Sequence, residues 1–147
     1  MSKFNQLNAQ PDLTMKAVIV YDDCVSVTKA YSSLQHSAKH KHVNVLWTIR
    51  LLRVEVLKFP PGAEAALADA IDAHLLVLAG PCAQSFPLWL QVWLENWVNC
   101  RQIKDAALAV VGAGHAELPA SSRADLSLFA RRHGLSIIFG LCSTICG

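Results

Sequence analysis

An α/β fold built on a parallel sheet, with helices on both faces, is what this sequence predicts. Three observations carry that expectation. Apolar runs without polar alternation stand at Ala17–Val20, Leu75–Ala79 and Ala106–Val111, the pattern of strands buried on both faces. Stretches with apolar residues at three- and four-residue spacing separate them. The connections are short, and strict strand–helix alternation with short connections implies a three-layer domain around parallel strands.

The bulk composition agrees with one such domain. A chain of 147 residues is most simply a single domain and buries about two-thirds of its unfolded surface. With 53% hydrophobic and 16% charged residues it has ample material for a core. A formal charge of +2 offers no electrostatic case for nucleic acid or an anionic membrane as partner. The longest strongly apolar runs, such as residues 106–114, fall far short of the roughly 20 that a membrane helix needs. No charged-then-apolar leader pattern opens the chain, so a cytoplasmic location is expected. The five cysteines, Cys24, Cys82, Cys100, Cys142 and Cys146, include no CxxC pair. They predict neither a disulfide framework nor a structural zinc site.

Taken in order, residues 1–14 are polar around isolated Phe4, Leu7 and Leu13, and read as a mobile arm ahead of a domain spanning 15–147. Lys16–Tyr21 is the first strand. Val27, Ala30, Tyr31, Leu34 and Ala38 then mark a helix, closed by the cations of residues 39–42 at its negative end. Val43–Ile49 is the second strand. In Arg50–Lys58 the alternation Val54, Glu55, Val56 suggests a short extra strand or an extended loop, ended by Pro60, Pro61 and Gly62. Ala63, Ala66, Leu67, Ala70 and Ile71 mark the second helix, and His74–Gly80 the third strand. Ser85 is placed to cap a third helix over Phe86–Cys100, with Pro87 in its first turn. Asp105–Gly112 is the fourth strand. Ser121 or Ser122 caps a fourth helix that stops at His133-Gly134, and Leu135–Phe139 is the fifth strand before a short tail. Five strands and four helices in this sequence predict a flavodoxin-like sheet of order 2-1-3-4-5.

With the acid pair Asp22-Asp23 directly after strand one, the stretch Lys16–Phe139 resembles the receiver domain of two-component response regulators. The resemblance implies magnesium held by the acid pair beside a phosphorylated aspartate at the end of strand three. Here that strand ends in Leu78, Ala79 and Gly80, with no carboxylate. Gly112 and Ala113 stand where the family carries a hydroxyl residue, and Phe139 and Gly140 where it carries a lysine. What the resemblance implies is therefore a degenerate receiver, a non-enzymatic signalling or interaction module that lacks the phosphoacceptor aspartate.

The competing expectation is an enzyme that binds a small molecule, a nucleotide or a metal. In open α/β sheets, ligands gather beyond the carboxyl ends of the strands. That crevice would be lined by Asp22, Asp23, Cys24, Gly80, Cys82, Gly112 and His115. Asp22 and Asp23 can supply a magnesium ion with carboxylates, or one of them can cap the first helix. Cys24, Cys82 and Cys142 all follow strand ends on that side and can gather as a soft-metal or redox site, or stand idle as buried thiols. Gly112-Ala-Gly114 before His115 is half a dinucleotide fingerprint, and a plain tight turn explains it as well. His36 and His40, one helical turn apart, lack an acidic or thiol third ligand and suit a solvated face. Arg50 and Arg53 offer anion contacts near the end of strand two, with surface ion pairs as the ordinary alternative.

Two further features point to partners. Trp89, Trp93 and Trp97 recur every four residues, as a core stripe does. Leu90, Leu94 and Val98 form a neighbouring stripe; if that one packs inward, the tryptophans mark a contact surface. Right-handed crossovers put the first helix alone on one face. Strands three to five, with Val77, Val110 and Ile138, are then left half bare, and a two-fold homodimer is expected to cover them.

Overall fold

The computed structural model of the chain describes residues 13–37, 45–112 and 118–139. Five parallel strands form one sheet of order β2-β1-β3-β4-β5. They are β1 (Leu13–Tyr21), β2 (Val45–Arg53), β3 (Leu75–Ala79), β4 (Ala107–Val111) and β5 (Ser136–Phe139). The helices are α1 (Cys24–Ser37), α2 (Pro60–Ala70), α3 (Pro81–Ser85), α4 (Leu88–Cys100) and α5 (Ala120–Arg132), with a 3-10 turn at Val54–Lys58. Among the described residues no helix is long and apolar enough to cross a membrane.

The alternation of side chains along the strands sorts the core into two layers. Val18, Val20, Leu76, Leu78, Leu108 and Val110 face α2, α4 and α5 and build the larger one. Ala17, Ile19, Val77, Ala79, Ala109 and Val111 face the opposite side with Ala30 and Leu34 of α1. One helix on one face and the rest on the other is what right-handed crossovers in this strand order demand.

Several local expectations are corrected. β1 begins at Leu13, not Lys16, because its ladder with β2 already pairs Leu13 with Val45. The proposed arm therefore loses Leu13 and Thr14 to the sheet, and residues 1–12 lie outside the described residues. β2 runs on through Arg53; as an edge strand it can carry Arg50 and Arg53 exposed to water. Residues 54–58 are neither strand nor loop but a 3-10 turn, with buried Val54 and Leu57 at its three-residue period. Val56, which suggested alternation, is exposed. α2 starts at Pro60, since proline is tolerated in a first turn that needs no N–H. There Gly62 is required by closeness: a Cβ would stand 2.6 Å from the Val56 carbonyl oxygen.

The helix after β3 is two helices rather than one. α3 ends where Phe86 turns left-handed at φ 41°, and Pro87 occupies the N-cap of α4. Ser85 is no cap; its hydroxyl donates to the Pro81 carbonyl at 3.2 Å. Nor do Ser121 and Ser122 cap α5, which follows Pro119. Ser122 is buried instead and donates to the Gln84 carbonyl at 2.9 Å, tying α5 to α3. The stop of α5 is as expected: Gly134 sits at φ 67°, and the Leu135 N–H bonds back to the Ala130 carbonyl.

Both apolar stripes of α4 pack inward. Leu90, Leu94, Trp93 and Trp97 are all buried, so Trp93 and Trp97 present no contact surface. Their indole N–H groups donate to α2, Trp93 to Ala63 at 3.0 Å and Trp97 to Ala70 at 2.8 Å. Trp89 is half-buried, with the Lys58 ammonium 5.3 Å from its ring. The expected bare face is also corrected. Register pairs Leu78 with Val110 and Ala109 with Ile138, so Val110 lies on the other face from Val77 and Ile138. Val77, Ala109 and Val111 are buried, and among strands three to five the exposure on that side is greatest at β5, where Ile138 is 42% exposed.

Candidate functional site

All five strands are parallel, so β1, β3 and β4 release the chain at one edge, and the residues that follow each strand meet there. Asp22 and Asp23 leave β1, Gly80 leaves β3, and Gly112 leaves β4. The Gly80 N–H donates to the Val111 carbonyl at 2.9 Å, carrying the ladder one step past the strands.

The two aspartates divide their roles. Asp23 Oδ1 accepts the Ser26 N–H at 2.7 Å, and its carbonyl accepts the Val27 N–H at 3.2 Å. Asp23 is therefore the N-cap of α1. Asp22 turns toward β3 instead: its Oδ1 would stand 2.5 Å from a Cβ built on Gly80. Ser26 Oγ would lie 3.3 Å from the same point. Gly80 is needed twice over, for that close approach and for its φ of 109°.

This corner is electrostatically unusual. Asp22 Oδ1 and Ser26 Oγ are both buried with no hydrogen-bond partner among the described residues. Burial pushes the Asp22 carboxyl above its ordinary value; the Cys82 thiol and N–H draw it part of the way back, and the charge of Asp23 adds to the rise. Burial, and then the neighbouring Asp22, push the Cys82 thiol far upward. That environment disfavours a thiolate at Cys82, whose Sγ lies 3.8 Å from the Ala79 carbonyl oxygen.

Of the other expected residues, Cys24 is exposed as the first residue of α1, and Cys100 is exposed at the end of α4. His115, Gly114, His40, Cys142 and Cys146 lie outside the described residues, as does the side chain of His36. Arg53 reaches the edge but is engaged, with its Nε 3.3 Å from Glu55 and its guanidinium 5.9 Å from the Tyr21 ring centroid. Arg50 is not at the crevice. It stands three residues before the end of β2 and pairs with Asp69 at 2.9 Å. Among the described residues no three His, Cys, Asp or Glu side chains gather to hold a metal.

A second concavity was not anticipated from the sequence. At the amino end of the sheet, a cleft of about 470 Å³ is lined by Thr14, Lys16, Thr48, Arg50, Asp69, Asp72 and His74 among others. Lys16 pairs with Asp72 at 2.7 Å, and this bond holds the Asp72 carboxyl below its ordinary value. The Lys16 N–H donates to His74 Nδ1 at 3.0 Å. Every lysine, arginine and aspartate lining it is already paired, so the cleft is a closed set of ion pairs that joins β1 and β2 to α2 and the turn after it. Its members are far apart in sequence, and only the strand order brings them together.

No family model and no curated protein matches the chain. A solved structure described as the Trp repressor binding protein from Bacillus subtilis aligns over 84% of this chain and 82% of its own, at 9% identity and a TM-score of 0.37. A likeness of that degree carries no argument about function.

Proposed function

We propose that the chain is a receiver-like interaction module without a phosphoacceptor, working through protein contacts and not through catalysis. Gly80 is the observation that supports this reading. It stands where the residues after strand three would offer an aspartate to a phosphoryl group, and Asp22 Oδ1 occupies the space a side chain would need. Its positive φ opposes any such side chain as well. With Asp23 committed to the helix cap, the pair does not offer two free carboxylates to a magnesium ion. The test is incubation with acetyl phosphate, or with beryllofluoride, in the presence of magnesium. The expected result is an unchanged mass and spectrum; a magnesium-dependent change at Asp22 or Asp23 overturns the proposal.

A second reading is favoured by one specific observation, the two unpartnered buried oxygens of Asp22 and Ser26 beside Gly80. On that reading the crevice takes a small polar ligand or a magnesium ion. A thermal-shift screen of nucleotides, flavins and divalent metals separates the two, because a ligand that binds only the folded state raises the melting temperature. The interaction module predicts no shift. As an interaction module the chain associates with a second copy, which light scattering across a concentration series checks.

A further inference from the structure

The two edges of the sheet differ in kind. β5 offers four residues, whereas β2 offers nine, with β1 on one side and no strand on the other among the described residues. A long open edge of unpaired backbone groups is a template for another strand unless charge or covering blocks it. On β2 the covering is slight: Leu46 is 53% exposed and Leu51 49% exposed. Its two charges are each paired within the chain, Arg50 with Asp69 and Arg53 with Glu55.

We propose that a second copy of this chain occupies that edge, β2 pairing antiparallel with β2 across a two-fold axis at Ile49. This rests on the dimer part of the function proposed above and not on the receiver resemblance. The register is argued from self-complementarity. With Ile49 opposite Ile49, Trp47 faces Leu51 of the second copy and Leu46 faces its Leu52, while Arg50 faces Thr48. Trp47, Ile49 and Leu51 lie on the α1 face, since Trp47 and Ile49 pack with that layer. Leu46, Thr48, Arg50 and Leu52 lie on the other, where Leu52 packs. Each face therefore gains an apolar cross-strand pair, and no like charges stand directly opposite.

Tyr31 adds a second, independent observation. Ser26 lies against Gly80, on the β3 flank of α1. Five residues on, Tyr31 falls on the opposite flank at about 100° per residue, over the β2 side, and is 42% exposed. Pairing at β2 brings the two Tyr31 rings toward the new seam, above Trp47 and Leu51. An interface of two short strands belongs with the small, reversible class below about 1,200 Å², so a micromolar dimer is expected.

The experiment uses the full chain. Sedimentation velocity from low-micromolar to submillimolar concentration should show a monomer–dimer equilibrium, and amide exchange in β2 should slow with concentration in the unmodified protein. Thr48→Lys sets a lysine opposite Arg50 of the second copy and should weaken the dimer roughly tenfold, whereas Thr48→Asp should strengthen it. Thr48 is exposed, and circular dichroism verifies that both variants fold. With Cys24 and Cys100 changed to serine, Ile49→Cys should oxidise with diamide to a 49–49 disulfide, since opposed Cα atoms stand about 4.5–5.5 Å apart. Leu46→Cys should not. A monomer at all concentrations overturns this inference and the dimer reading together. A dimer with unchanged β2 exchange, or without the 49–49 link, overturns the edge pairing alone.

Discussion

Asp22 is a carboxylate whose surroundings favour its proton. Burial raises its pKa above the ordinary 3.8, so the folded chain holds the proton more tightly than the unfolded one. The sign follows from linkage. The contribution of Asp22 is fully present below pH 3.8 and is lost as the pH rises through the raised folded value, above which the ionised group costs stability. Asp22→Asn should therefore melt higher than the wild type at neutral pH, with the difference closing as the pH falls toward 3.8. Melting curves in metal-free buffer across that range check it. If added magnesium stabilises the wild type and erases the difference, the carboxylate is a cation ligand.

At the scale of the element, α1 depends on a cap that only one of two adjacent acids supplies. Asp23→Ala removes the 2.7 Å bond to the Ser26 N–H and should cost about 1 kcal/mol, a fall of about 2–4 °C in melting temperature. Asp23→Ser should restore most of it, because a hydroxyl caps nearly as well. α4 depends on its indoles in a different way. Trp97 is fully buried and its N–H satisfies the Ala70 carbonyl at the end of α2. Trp97→Phe keeps most of the apolar volume but removes one of the two bonds to that carbonyl, which keeps the Ala73 N–H at 3.0 Å, and should cost about 0.5–1.5 kcal/mol by chemical denaturation. A change below a few tenths would show that the bond carries no stability.

For the whole molecule, the central strands are the common wall of both core layers. Val110 is 1% exposed between β3 and β5, facing α2, α4 and α5. Val110→Asp buries an unpaired charge at a cost of several kcal/mol, a large part of the stability of a domain this size. The variant should lack a cooperative thermal transition by circular dichroism. A soluble variant that melts cooperatively would contradict the placement of β4.

The parallel sheet was legible in the sequence because uninterrupted runs such as Ala17–Val20 and Leu75–Ala79 leave no polar face, and its order followed from five strands alternating with helices. The candidate crevice at the carboxyl edge followed from the same topology. The division of labour between Asp22 and Asp23 did not, since both are equally placed in sequence and only the approach of β3 at Gly80 separates them. Three-residue periods hid the turn at 54–58, and an edge strand tolerates the arginines that made β2 look finished. Which face Val110 shares with its neighbours depended on register between strands, and a shift of one residue inverts it. Local pattern determines which segments become strands and helices, because their periods are written along the chain. Which side chains meet, and which carboxylate loses its water, was decided by tertiary structure, because those contacts join segments that share no sequence neighbourhood.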